Sequence, residues 1–328
     1  MKRMYHDAFY AYASARLTAL ENKALTDERL ARVIDAPTFA EARIAVCEAY
    51  GVAADASQEE VLSEATARIY AFAEELLCGT PGDFEKPFGL LLPFRYVYDC
   101  QNLKSAIKCD ALGRAAGREL FSACGSRTVE DALEAVRSRD FSAFPASLAG
   151  AAEKAVDELA ASRDPACVDR LLDKAVFADM LAEAEKAGIP YLIGLIRCRI
   201  DLINVMTAYR MARTGLTGTD ILPSLIPGGT VEPSYLAGNA NADVKAFAAS
   251  LAVTDYAALA DEADAAAFEK RCDALYLEKA HEAKRAPFGV EHILCYIAEK
   301  EAEIRNVRIV LSGKSAGLAG ERIRKMLR

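Results

Sequence analysis

The dominant pattern along the chain is helical. Apolar residues recur at three- and four-residue spacing, and the apolar–polar alternation typical of strands is nearly absent. Such spacing places apolar side chains on one face of an α-helix, where they can be buried together. The clearest stripe lies near the C-terminus and consists of Ile293, Ile297, Ile304, Val307 and Leu311. We therefore predict an all-α protein.

Glycine and proline mark the breaks between the predicted helices. They concentrate at residues 79–82, at Pro223, at residues 227–229 and again from 233 to 241. Proline cannot continue a helix and glycine leaves one readily, so these positions predict turns. The longest irregular stretch is expected at 223–241.

The composition is that of a globular, acidic protein. Of 328 residues, 52% are apolar and 27% are charged, and the net charge is −8. Such a chain has enough apolar material for a core, and it lacks the excess of positive charge that nucleic-acid binding requires. We expect proteins or small molecules as partners, and no nucleic acid.

Cysteine usage and hydropathy predict a cytoplasmic protein. The nine cysteines are scattered without any C-x-x-C pair, which indicates reduced thiols. Residues 1–20 contain His6, Asp7 and two arginines, a pattern unlike a signal peptide. The longest apolar run, at 188–196, is about half as long as a membrane-spanning helix. No membrane span is therefore predicted.

An internal repeat organises the chain. Asn102, Asn204 and Asn306 stand 102 residues apart, with an acidic residue three positions before each and a glycine eleven positions after each. The acidic residues are Asp99, Asp201 and Glu303, and the glycines are Gly113, Gly215 and Gly317. So many matches at one offset predict three similar helical units, at 1–119, 120–221 and 222–328.

The repeated residues have a physical interpretation. An acid and an asparagine three residues apart share a helix face, where they can hydrogen-bond each other or a neighbouring chain. Asparagine is a poor helix former, so its recurrence suggests that each amide has a partner. The glycine stands at the C′ position, where a left-handed conformation ends a helix. These nine residues are our candidates for a structural or interface role, in units that form a ring, a funnel or a row.

Motifs for metal or nucleotide chemistry are weak. His281 and His292 are eleven residues apart, which is not the i, i+4 spacing of a helical metal pair, and His6 is remote. All three are expected to be surface or structural residues, so no metal and no cofactor is predicted. Residues 313–315, Gly-Lys-Ser, resemble the end of a P-loop, but Arg308 stands where its first glycine is required. Direct nucleotide binding is therefore not expected.

Charged clusters leave alternatives open. The acid pairs Asp169/Asp173 and Glu269/Asp273 could act as general acid and base, or could be solvated carboxylates on helix faces. The C-terminal segment 321–328 carries four basic side chains against one acid. It could meet an acidic partner or lipid headgroups, or it could only complement the end of a last helix.

The repeats also carry a family resemblance. Residues 10–17 read Tyr-Ala-Tyr-Ala-Ser-Ala-Arg-Leu, and the three repeat helices contain the segments 98–104, 199–205 and 303–308. In order and spacing these segments resemble the C subunit of the prokaryotic V-type or A-type rotary ATPases and ATP synthases, the counterpart of the d subunit of the eukaryotic V-type enzymes. The similarity covers nearly the whole chain.

The resemblance implies a non-catalytic, all-α subunit with three similar domains in a pseudo-threefold funnel. In that family the subunit lies at the cytoplasmic face of the membrane proteolipid ring and receives the central stalk. It would support proton or sodium transport linked to ATP hydrolysis or synthesis, with the repeat helices lining a central opening or a seam between units. An all-α scaffold outside any rotary machine is the main alternative, and a hydrolase that uses the acid pairs is a third.

Overall fold

The structure is a computed structural model that describes residues 10–21, 27–78, 88–114, 117–240, 243–262 and 264–328. Within these ranges the regular structure is helical and no strand occurs, so the all-α prediction is confirmed. His6 and the predicted break at 79–82 lie outside the described residues. Among the helices of these ranges, none is long and apolar enough to cross a membrane.

The described residues form α-helices that follow one another in the sequence. In order they are α1 Ala11–Glu21, α2 Asp27–Asp35, α3 Phe39–Tyr50, α4 Gln58–Cys78, α5 Leu92–Ala111, α6 Val129–Ser138, α7 Ala146–Ser162, α8 Ala166–Ala187, α9 Pro190–Arg213, α10 Gly218–Ile221, α11 Pro233–Asn239, α12 Val244–Ser250, α13 Ala265–His281, α14 Val290–Ser315 and α15 Gly320–Met326. Short 3-10 turns lie at Phe88–Leu90, Arg118–Leu120, Leu222–Ser224, Leu251–Val253, Ala257–Leu259 and Glu282–Arg285.

The chain divides into two compact units. The first, called the terminal unit, joins Met1–Phe88 to Leu277–Arg328. Its long helix α14 packs against α1 to α4 and against α15. Val46, Val61, Val307, Leu311 and Ile323 are buried together in its core, so the apolar stripe predicted near the C-terminus faces inward.

The second unit, called the central unit, comprises Gly89–Tyr276. Within it α5 packs against α6, α7 and α8, and α9 packs against α10, α11 and α12. The core around α9 contains Val205, Leu236 and Phe247, all buried. Tyr209 and Phe268 stack there with their ring centroids 4.0 Å apart.

Local sequence explains where several helices begin and end. The Thr128 hydroxyl accepts the N–H of Asp131, and the Asp131 carboxylate accepts the N–H of Thr128, which makes a capping box before α6. Pro190 occupies the first position of α9, where its missing N–H costs no helical hydrogen bond. Gly188 ends α8 in the left-handed region, with φ 69°.

The stretch expected to be irregular, 223–241, contains a helix. α11 begins at Pro233 and ends at Asn239, so the prediction of a continuous irregular segment is wrong there. The proline that suggested a break stands at the first helical position, where its fixed φ favours helix initiation. The same residue type therefore marks a start as readily as a stop.

The three-unit division at 119 and 221 stays a prediction. In the structure α5 packs against α8, which lies beyond the first of these positions, and each repeat helix of the central unit packs against the segment that follows it. This packing brings the repeat side chains against the segments that follow their helices.

Candidate functional site

Two repeat asparagines of the central unit each hold one backbone position further along the chain. Nδ2 of Asn204 donates to the carbonyl of Ile226, and the Ile226 N–H donates to Oδ1 of Asn204, both at 2.7 Å. Asn102 makes the same two hydrogen bonds with Ser122, both at 2.8 Å. Both asparagines are buried. Their amides therefore satisfy backbone groups outside the helical hydrogen-bond ladder.

The third asparagine repeats the arrangement in the terminal unit. Asn306 pairs in both directions with Arg328, and both hydrogen bonds are 2.9 Å long. Arg328 lies 22 residues further along the chain, the same separation as for Asn204 and its partner. A side-chain amide has a donor and an acceptor side by side, so it fits the N–H and C=O of one residue. This partner explains why asparagine, a poor helix former, recurs within these helices.

The acid of the second repeat binds the segment that the asparagine also binds, a few residues further along the chain. The Asp201 carboxylate accepts the N–H of Thr230 at 2.9 Å, the Thr230 hydroxyl at 2.6 Å and the Val231 N–H at 3.0 Å. The hydroxyl of Tyr256 also donates to it, at 2.9 Å. Asp201 is fully buried. Four donors satisfy this buried charge, as a buried carboxylate requires.

The acid of the first repeat has an equivalent place. Asp99 accepts the Ser126 hydroxyl at 2.6 Å and the Arg127 N–H at 3.0 Å. Burial raises the pKa of Asp99, and the hydrogen bonds from Ser126 and Arg127 offset part of that rise. In these two repeats the acid and the asparagine do not hydrogen-bond each other. Both instead hydrogen-bond the segment that follows their helix in the chain.

The loops that supply these donors were not predicted from the sequence. A glycine precedes each hydroxyl donor, at Gly125 and Gly229, and a Cβ at either position would overlap the carboxylate of Asp99 or Asp201. The signal was present as Gly125-Ser126 and Gly229-Thr230, but these pairs are 104 residues apart and do not match the offset of 102.

The acid of the third repeat has different partners. Glu303 accepts the hydroxyl of Tyr50 at 2.7 Å and Nζ of Lys300 at 2.5 Å. Burial and the Glu303 carboxylate raise the pKa of Tyr50. Glu303 also lines a cavity of about 610 Å³ beside α14, so this acid faces open space, whereas Asp201 is enclosed.

The repeat glycines share one backbone conformation. Gly113, Gly215 and Gly317 have φ values of 59°, 84° and 70°, all in the left-handed region. After each glycine, the N–H of the next residue donates to a carbonyl five positions earlier. This is the Schellman arrangement that ends a helix, and it occurs in all three copies.

The predicted acid pairs are engaged with basic side chains. Lys108 lies 2.8 Å from Asp169, and Lys104 lies 2.6 Å from Asp173, so α5 and α8 are joined by a row of ion pairs. The side chains of the two aspartates are nearly half exposed. They are half-solvated partners of lysines, which favours the structural alternative over general acid–base catalysis.

In the second acid pair, Glu269 is engaged in the same way. Nε of Arg210 donates to Glu269 at 2.8 Å, and Asp273 also has a partner. Arg210 stands 102 residues after Lys108, so the basic partner follows the repeat, whereas the acids Asp169 and Glu269 are 100 residues apart.

The P-loop-like fragment and the basic C-terminal segment are tied to α2 and the turn after it. Lys314 lies in the last turn of α14 and donates to the carbonyl of Ala36 at 2.5 Å. Arg324 lies 2.5 Å from Asp35. These cations bind groups of the terminal unit itself.

The histidines within the described ranges border the cavity region of the terminal unit. Nε2 of His281 lies 2.8 Å from Oε1 of Glu299, and Nε2 of His292 lies 3.0 Å from the carbonyl of Ala286. His292 and Glu299 also line the cavity.

Exposed leucines cluster in sequence near the ends of α5 and α9. Leu120 and Leu222 are 44% and 45% exposed and stand 102 residues apart. Leu112 and Leu216, next to the repeat glycines, are 67% and 38% exposed. Exposed aliphatic side chains grouped near two helix ends offer apolar surface for a contact with another protein.

Comparison with known proteins gives one consistent family. The chain matches the model of the ATP synthase (C/AC39) subunit family over residues 13–326. The C subunit of the A-type ATP synthase of Desulfurococcus sp. (strain SY) is 24% identical over 97% of this chain and 90% of its own length. That of Thermococcus gammatolerans is 27% identical over 97% and 89%, respectively. The C subunit of the V-type sodium ATPase of Enterococcus hirae is 22% identical over 70% and 72%.

Proposed function

The chain belongs to the ATP synthase (C/AC39) subunit family, and on that premise we propose that it is a non-catalytic rotor subunit of a rotary ATPase. In this role it connects the central stalk to the membrane proteolipid ring at the inner face of the cell membrane. It supports proton or sodium transport linked to ATP hydrolysis or synthesis. Its three similar helical units form a funnel.

The observation that carries the proposal is the repeated pairing of asparagine with backbone. Asn102, Asn204 and Asn306 each bind both polar groups of one residue in the segment after their helix. Hydrogen bonds of this kind hold a helix and its following segment in one geometry. A part that transmits torque needs such stiffness and needs extended contacts, of about 1,000 Å² or more for a stable interface.

The chemistry of the acid pairs also supports a non-catalytic role. Asp169 and Asp173 are bound by Lys108 and Lys104, and Glu269 is bound by Arg210. A general acid or base must reach a substrate proton, whereas these carboxylates are held by cations on neighbouring helices. Metal-dependent turnover that Asp173→Ala abolishes would contradict this part of the proposal.

The exposed leucines at the ends of α5 and α9 are the proposed contact points for a neighbouring subunit. Burying one leucine side chain contributes about 1.5–3 kcal/mol, so losing two should weaken an interface at least about tenfold. Val253 is 82% exposed and lies outside these helix ends, so it is a matched control.

The test is recovery of partner subunits from detergent-solubilised membranes with a tagged full-length chain. The wild type and Val253→Glu should recover stalk and proteolipid subunits, and the double variant Leu120→Glu/Leu222→Glu should recover at least about tenfold less. Recovery of unrelated proteins by the wild type would favour the scaffold alternative. Equal recovery by all three forms would contradict the assignment of the contact points.

A further inference from the structure

Three side chains of different chemistry converge in the terminal unit. His281 is the last residue of α13, and Cys295 and Glu299 lie four residues apart on α14. One ligand atom from each lies within 4.8 Å of the others. Nε2 of His281 is already 2.8 Å from Oε1 of Glu299, and Cys295 is buried beside them.

These donors are the ones that zinc uses in proteins. Zn²⁺ binds thiolate sulfur, imidazole nitrogen and carboxylate oxygen at about 2.0–2.3 Å, usually with four ligands in a tetrahedron. Residues at i and i+4 present their side chains on one helix face, so Cys295 and Glu299 can bind the same ion. A ligand from a second helix completes a three-residue set.

The set has room to close around an ion. Ligand atoms of a tetrahedral zinc site lie roughly 3.3–3.8 Å apart. A separation of up to 4.8 Å must therefore shorten by about 1 Å, and the 2.8 Å between Nε2 of His281 and Oε1 of Glu299 must lengthen by about 0.5 Å. The side chain of His281 is 47% exposed, and that of Glu299 is 27% exposed. Both can move without disturbing the core, while the buried Cys295 provides a fixed point.

The neighbouring cavity supplies access and a fourth ligand. Cys295 and Glu299 line the cavity of about 610 Å³, together with the polar side chains of His292, Lys300 and Glu303. A cavity of this size with several polar side chains in its lining has room for water and for an ion that enters from solvent. With three protein ligands, one coordination position remains for a water molecule.

Lys284 is the competitor for this position. Its Nζ lies 2.7 Å from the same Oε1 of Glu299 that His281 approaches. An ion that binds this oxygen must therefore displace the ammonium group. The Lys284 side chain is 46% exposed and can turn toward solvent.

We propose that His281, Cys295 and Glu299 form a binding site for Zn²⁺ or a similar borderline-soft divalent cation. On binding, the Cys295 S–H bond breaks, sulfur keeps the electron pair and coordinates the ion, and the proton passes to solvent. No oxidation or reduction takes place. The bound ion links the end of α13 to α14 across the turn Glu282–Arg285. The proposal does not depend on the role in a rotary ATPase.

The test uses the purified full-length chain with Co²⁺ and with Zn²⁺. We expect one equivalent of Co²⁺ to bind and to give a tetrahedral spectrum with a thiolate-to-metal charge-transfer band. Zn²⁺ should displace it, with affinity measured against a chromophoric chelator. Cys295→Ser should abolish the band, and His281→Ala should weaken binding by about tenfold to a hundredfold.

Two further variants keep the result interpretable. Cys47→Ser replaces another fully buried cysteine of the terminal unit, so it is the matched control and should keep the band. Lys284→Ala should tighten Zn²⁺ binding because it removes the competing cation. A wild type that binds no better than His281→Ala would overturn the proposal, as would a band lost equally in Cys47→Ser or weaker Zn²⁺ binding by Lys284→Ala.

Discussion

The repeat helices α9 and α14 use the same asparagine and a different acid. Asn204 and Asn306 each pair in both directions with a residue 22 positions later. Asp201 is enclosed by four donors, while Glu303 meets one tyrosine and one lysine and lines a cavity.

The difference shows that the asparagine position has the same structural role in both helices, whereas the acid position does not. The amide holds the following segment in both helices, so its role is part of the fold. The acid holds that segment only where a glycine loop approaches it, as Gly229 approaches Asp201. In α14 the acid position is instead open to a cavity that also borders Cys295 and Glu299.

The largest expected effect separates the two acids. Asp201→Leu leaves two backbone N–H groups and two hydroxyls without their acceptor in a buried place, so the free energy of unfolding should fall by about 3–5 kcal/mol. Glu303→Leu removes the acceptor of one tyrosine and one lysine beside a cavity, so it should cost less, about 1–2 kcal/mol. Urea unfolding followed by circular dichroism measures both. Equal losses would contradict the contrast between the acids.

A second contrast concerns the asparagines. Asn204→Leu leaves the N–H and C=O of Ile226 unpaired in the core, at a cost of about 2–4 kcal/mol. Asn306→Leu should cost about 1 kcal/mol because water can reach the partly exposed Arg328. Hydrogen exchange of the Ile226 amide should accelerate strongly in the first variant. Unchanged exchange there would show that the asparagine does not hold this segment.

The loop glycine gives a third test. In Gly229→Ala the new Cβ overlaps the Asp201 carboxylate, so the loop must shift and the free energy of unfolding should fall by about 1–3 kcal/mol. Gly238→Ala is the matched control, because it lies within α11 and nothing surrounds its Cβ position. That variant should be neutral or more stable by up to about 1 kcal/mol. A loss in Gly238→Ala as large as in Gly229→Ala would contradict the close approach.

The smallest effect is a pH dependence at the first repeat. Burial raises the pKa of Asp99, so the folded protein keeps this proton to a higher pH than the unfolded chain does. The stabilisation is fully present below the unfolded pKa of about 3.9 and is lost as pH rises through the folded pKa. Relative to Asp99→Asn, the wild type should therefore lose unfolding free energy as pH rises from about 4. A relative gain would reverse the sign and contradict it.

The sequence predicted what periodicity can encode. Helices, turn glycines and the need of Asn102 and its equivalents for a partner follow from spacing and from the chemistry of one residue. The partners themselves, such as Ile226 and Ser122, are backbone groups that carry no sequence signal. Their identity depends on how each helix packs against the segment after it.

Sites assembled from separate helices were also beyond the sequence. Cys295 and Glu299 have the i, i+4 spacing of helical ligands, but the third donor, His281, belongs to α13 and meets them only through tertiary packing. The division at 119 and 221 rests on sequence offsets. In the central unit, however, each repeat helix packs against the segment that follows it in the chain.

The most direct test of the central claim is ATP-driven ion uptake by inverted membrane vesicles that lack this chain, measured with and without the purified protein. A passive coupling role predicts that uptake is absent without the chain and returns as it is added, while the isolated chain hydrolyses no ATP. Equal uptake in both preparations, or ATP hydrolysis by the chain alone, would contradict the account.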